Sequence, residues 1–158
     1  MSYHIDLQHA CSIPVPVSDE LLISWAELPL SDHLLAAELT LRLVDEEEIS
    51  DLNYRYRQQD KPTNVLAFPS NIPDNIELDF PLLGDLIICP AVLARECLEL
   101  ERTVEAHWAH IVIHGVLHLL GYDHINDSDT EIMQSLETKL LATLGFSDPY
   151  QLEGNGIE

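Results

Sequence analysis

His114-Gly-Val-Leu-His118 lies in a strongly apolar, helical stretch that ends at Leu119-Leu120-Gly121. Side chains four positions apart share one face of a helix, so these two imidazoles converge and can grip one cation. Glycine accepts the positive φ that ends a helix and reverses the chain, and a reversal at Gly121 can return His124 to the same ion. With 8 His and 6 Gly among 158 residues, the spacing His-x-x-x-His-x-x-Gly-x-x-His arises by chance in roughly one such chain per thousand. The four positions are therefore read as a unit.

Three neutral imidazole nitrogens suit Zn²⁺ or a related first-row cation and leave a fourth position for water. Zinc brings the pKa of such a water to about 7, which points to hydrolysis. The spacing is that of the metzincin zinc site, in which peptidases carry a Glu general base directly after the first His. Here that position is Gly115, so a peptidase would lack its base. Asp85 and Asp123 are the nearby proton acceptors, and the sequence does not choose between them. Each reads equally well as structural, Asp85 as a polar strand start and Asp123 as a turn residue bonded to its own backbone. His107 and His110 precede the motif as possible extra ligands or partners of the ligands. Because direction drifts by about 40° per four-residue step, both are read instead as packing residues or exposed polar tips.

The rest of the chain predicts an α+β single domain, residues 1–158, with a small mixed sheet of about four strands and helices packed on it. Strands are expected at Tyr3–His9, Glu38–Val44, Asn64–Phe68 and Gly84–Cys89, the first two from alternating apolar and polar residues. Ser18 is expected to cap a helix that stops before Pro29, and Asp45 one that runs to about Arg55. Ser70 to Pro81 reads as an acidic loop, and Pro90 suits the first turn of a helix. Further helices are expected from about Thr103 to Leu120, and from a capping box Ser128-x-x-Glu131 to Leu144-Gly145.

The formal net charge of −21 argues against a general nucleic-acid binder, since phosphate affinity comes from Lys and Arg. Three of the few cations, Arg55, Arg57 and Lys61, nevertheless form one local positive spot. Cys11, Cys89 and Cys97 match neither a disulfide framework nor a Cys-x-x-Cys site and are read as small apolar residues in a reducing cytoplasm. No secretory or transit signal and no membrane span is expected from the sequence.

Beside the three-histidine motif stand Arg57-x-x-Asp60-Lys-Pro-Thr-Asn-Val-Leu-Ala-Phe-Pro69 and Leu83-Gly-Asp-Leu-Ile-Ile-Cys89. With these, the chain from about Glu38 to Tyr150 resembles the bacterial YbeY endoribonuclease family, Ala67 standing where many relatives carry Ser. The resemblance implies a single-strand-directed, metal-dependent endoribonuclease for ribosomal RNA processing, especially the small-subunit 3′ end, and for ribosome quality control. It implies His114, His118 and His124 as metal ligands, His114 also as a catalytic residue, and Arg57 as a catalytic, substrate-binding arginine able to hold a phosphate bidentately. It also implies ribosomal RNA, the small subunit or its proteins, and an Era-type GTPase as partners. Two rival readings remain at this point: a metallopeptidase or amide hydrolase, and a non-catalytic ribosome-assembly factor whose metal pins a helix to a turn.

Overall fold

The structure, a computed structural model, describes residues 2–70 and 81–150. Its four strands are β1 (Ser2–Ala10), β2 (Ala36–Val44), β3 (Val65–Pro69) and β4 (Leu82–Ile88). The five helices are α1 (Asp19–Ser31), α2 (Glu46–Arg57), α3 (Pro90–Glu99), α4 (Val104–Leu119) and α5 (Asp127–Thr143). The sheet order is β1-β2-β4-β3. β1, β2 and β4 run parallel, and β3 is antiparallel to β4 at one edge. This is the expected α+β domain with a mixed sheet. The loop expected over Ser70–Pro81 falls mostly on residues 71–80, which lie outside the described residues.

Alternation along the strands builds a core on each face of the sheet. Leu39, Leu41 and Leu43 of β2, with Leu86 and Ile88 of β4, join α1 and α4 in the larger cluster. The intervening Ile87, with Val44 and Leu66, meets Ile49 of α2 in the smaller one. Helix α4 is apolar on all sides, and every residue from His107 to Leu117 is buried, as befits a helix enclosed by other elements. Among the described residues, no helix is long and apolar enough to cross a membrane.

Three helix ends differ from expectation, two in their bounds and one in its capping. Helix α1 continues through Pro29 to Ser31. Proline there removes one helical hydrogen bond, but Pro29 and Leu30 are both buried, and that burial offsets the loss. Asp45 occupies the N-cap of α2 without capping it. Its carboxylate instead accepts from the backbone and hydroxyl of Ser12, tying the end of β1 to the start of α2. Helix α5 begins two residues before the expected Ser128 box, because the Asn126 side chain already accepts from the Asp129 amide.

Gly84 sits at φ +136°, a conformation disfavoured for residues with a side chain, and a Cβ there would collide with the backbone of Phe68 and Pro69. The close approach of β3 to β4 thus depends on this glycine. β3 in turn lies against α4, where the histidines lie.

Candidate functional site

Helix α4 ends in a Schellman turn: the Gly121 amide donates to the His118 carbonyl, and the Tyr122 amide to that of Leu117. Gly121 supplies the required positive φ of +106°. Tyr122 then locks the turn, its hydroxyl lying 2.7 Å from Nε2 of His33 just beyond α1. Asp123 accepts from the His124 amide at 2.8 Å. The turn folds His124 back toward α4, and the ligand atoms of His114, His118 and His124 all lie within 4.8 Å of one another. Ring centroids are 4.7 Å apart for His114–His118 and 5.2 Å for His118–His124.

The donor set fits a first-row divalent cation, which needs neutral imidazoles with free lone pairs. Burial, followed by the neighbouring His114 and His124, pushes His118 down to about 4, so its ring is neutral across the physiological range. His114 is oriented from behind. Its Nδ1 lies 2.9 Å from Oε1 of Glu137, on α5. The same oxygen lies 2.8 Å from Nε2 of His110, and the Tyr150 hydroxyl donates to the other at 2.9 Å.

Glu137 is 1% exposed. Burial acts to raise its pKa, but the bonds from His110 and His114 outweigh it and hold the carboxyl at about 2. An ionised carboxylate only accepts, so both imidazoles present N–H to it. Arg102, 3.4 Å from Nδ1 of His110, has only donors and fixes that ring's tautomer. Burial pushes the His110 pKa down, with Glu137 pulling against it. Burial and then the charge of Glu137 push the Tyr150 phenol up, keeping it a donor.

A groove of about 660 Å³ runs past the cluster, lined by His114, His118 and His124 together with Arg57, Tyr56 and residues of β3. Arg57 closes α2, after which Gln58 takes a left-handed conformation (φ 55°) and turns the chain. The loop that follows is held by buried Asn53, whose amide donates to the Lys61 carbonyl at 3.0 Å. Of the three cations read as one positive spot, Arg57 lines the groove, while Arg55 pairs with Asp51 along the helix at 3.1 Å.

Asp123 lines this groove, with an oxygen 4.0 Å from Nδ1 of His118. Asp85 does not: it lines a separate cavity with Arg42 and Glu48. At Gly115, an added Cβ would run into the buried Leu86 side chain, so a glutamate at the position of the metzincin base would have to displace Leu86. His107 and His110 are buried as packing residues, but neither is inert. His107 lies 2.9 Å from Glu96, and His110 shares Glu137 with His114. Glu137 and Tyr150 escaped the sequence reading. The signal for Glu137 is an acid on the apolar stripe of α5, four residues from both Met133 and Leu141.

A single-domain α+β protein with three imidazoles gathered on one groove is the class that fold and site define. The chain belongs to the Endoribonuclease YbeY family, whose model matches residues 17–145. A Legionella pneumophila (strain Corby) protein named Endoribonuclease YbeY is 55% identical over 158 residues, covering 100% of both chains. A Pseudomonas fluorescens protein of the same name is 55% identical over 146 residues, covering 92% of this chain and 95% of its own. The solution structure of TM1509 from Thermotoga maritima matches with a TM-score of 0.55 at 25% identity, covering 92% of this chain and 99% of that one. The likeness begins upstream of Glu38, where the motifs alone had set it.

Proposed function

We propose that this chain is a metal-dependent endoribonuclease that cuts single-stranded RNA in ribosomal RNA processing, the small-subunit 3′ end above all, and in ribosome quality control. The observation that carries the reading is the gathering of three histidines and Arg57 on one groove in a chain of this family.

His114, His118 and His124 would hold one divalent cation, Zn²⁺ by the chemistry of the donors, which supplies a Lewis acid and lowers the pKa of water. Glu137 keeps His114 in the tautomer whose Nε2 is free to bind. Arg57 grips the phosphodiester with its guanidinium fork and offsets charge developing on the phosphoryl oxygens. Asp123, the one of the two candidate carboxylates that lines the groove, accepts the proton released from water. A peptidase reading is disfavoured, since Gly115 stands where its base would be.

The net charge of −21 leaves little counterion release to drive RNA binding. Delivery by a ribosomal partner, a small-subunit protein or an Era-type GTPase in the cytoplasm, therefore belongs to the proposal.

The test is cleavage of a structured small-subunit RNA precursor by the purified protein, beside His114→Ala and a chelated sample. Loss of cleavage in both controls is the expected result. Equal cleavage in all three would leave the enzyme reading without support and favour an assembly factor that does not cut.

A further inference from the structure

Tyr56, immediately before Arg57 at the end of α2, is 64% exposed. Its ring packs against Phe68 of β3, with centroids 5.0 Å apart and planes tilted by 60°. Phe68 is itself half-buried against the smaller core cluster, so it holds the tyrosine from below while most of the phenol stays open to solvent. A lone exposed aromatic needs no explanation. This one is braced by a second ring, adjoins Arg57, and lines the groove that carries the three histidines. Both rings also line the adjoining cavity of about 680 Å³ near Arg42 and Asp85, so they form the shared rim of two depressions.

We propose that Tyr56, braced by Phe68, is a stacking platform for a nucleobase next to the phosphate held at Arg57. The proposal rests on the endoribonuclease reading and deepens it. A base in a duplex already has neighbours on both faces and cannot lie on a protein ring without unstacking, whereas an unpaired base can. The platform thus gives the expected single-strand preference a physical cause. It also answers the charge problem. Among the described residues that line the groove, Arg57 is the one Lys or Arg, so much of the grip on RNA must come from contacts other than ion pairs. Stacking supplies such a contact and tolerates any sequence, because every base has a π-face.

The test uses the full chain under chelation, which blocks turnover, with a single-stranded oligoribonucleotide containing 2-aminopurine. Wild type and Tyr56→Phe should quench the fluorophore saturably. Tyr56→Ala, whose fold is checked by circular dichroism, should not, and should bind the unlabelled oligonucleotide about 10-fold more weakly. In turnover assays with metal, Tyr56→Ala should raise KM more than it lowers kcat, and Tyr56→Phe should restore both. Absence of quenching by wild type, or equal binding by Tyr56→Ala, would overturn the proposal. The two readings fail separately. A chain that quenches through Tyr56 but cuts no RNA loses the nuclease reading alone, and one that cuts RNA with no Tyr56 dependence loses the platform alone.

Discussion

The carboxylate of Glu137 accepts the Nδ1 proton of His114 across 2.9 Å. That one bond decides which nitrogen of His114 is available in the groove, because a ring that donates from Nδ1 keeps its lone pair on Nε2. The carboxylate is anchored in turn by His110 and Tyr150. The segment bearing Tyr150 is pinned as well, since Arg102 donates to the Pro149 carbonyl at 2.8 Å and Asp148 accepts from the Tyr150 amide at 2.8 Å. Orientation of one imidazole is thus shared among α4, α5 and the chain beyond α5.

Replacing Glu137 by Gln keeps the shape but removes the charge; with its oxygen kept toward the two imidazoles, its NH2 faces the Tyr150 hydroxyl, which must then accept instead of donate. We expect Glu137→Gln to weaken Zn²⁺ affinity by about 10- to 100-fold, measured by competition with a chromophoric chelator. Glu137→Ala strands several buried donors, each costing about 1–3 kcal/mol, and should lower the melting temperature of the chelated protein markedly. Unchanged affinity in the Gln variant would mean that Glu137 serves the fold alone.

Arg57 is exposed at the end of α2, so its removal should leave the fold untouched. Arg57→Ala should cut RNA cleavage by about 100-fold or more, in line with loss of a group that stabilises transition-state charge, with metal content unaltered by elemental analysis. Arg57→Lys should recover only part, since an ammonium lacks the planar fork. Cleavage at the parent rate by Arg57→Ala would remove this residue from the mechanism.

Acid should destabilise the metal-free protein in two windows. His118 has its pKa lowered from 6.5 to about 4. As pH falls through that interval the unfolded chain takes up a proton that the folded chain refuses, and stability drops. The full shift corresponds to about 3 kcal/mol. Glu137, lowered from 4.5 to about 2, contributes stability present above 4.5 and lost as pH falls toward 2. Urea melts of chelated protein at pH 7, 5.5 and 4.5 (roughly spanning the first window) should show the loss, and His118→Asn should reduce it, the remainder belonging to His110, whose pKa burial also lowers. A flat profile in the parent would show that His118 titrates normally.

Much of this was legible in the residues. The period-two alternation of β1 and β2 and the histidine spacing on α4 are local signals, and the structure carries them through with shifts of a residue or two at most ends. What the sequence hid is what depends on distant segments. Pro29 reads as a helix stop until its burial is known. Asp45 reads as a cap until Ser12 is seen beside it, 33 positions away. Glu137 is one acid among 28 Asp and Glu until the packing of α5 on α4 buries it against two imidazoles. The two candidate bases were also beyond local reading, because the face on which Asp85 points is set by the pairing of β4 with β2 and β3.

Gly115 allows a test of how closely the site depends on the sheet beneath it. It lies next to His114, and a Cβ added there meets the side chain of Leu86, which is fully buried on β4. Overpacking of this kind costs about 1–3 kcal/mol, while alanine in place of glycine returns about 1 kcal/mol of helix propensity. Gly115→Ala should therefore lose up to about 2 kcal/mol in urea melts. If the cost comes from Leu86, it should shrink or vanish in a Leu86→Ala background, where the new methyl group fills part of the cavity instead of colliding. Additive single and double variants would refute the contact. The same displacement moves the helix that carries His114 and His118, so Gly115→Ala should also reduce RNA cleavage, and Leu86→Ala should restore part of it only if α4 returns to its place on the sheet.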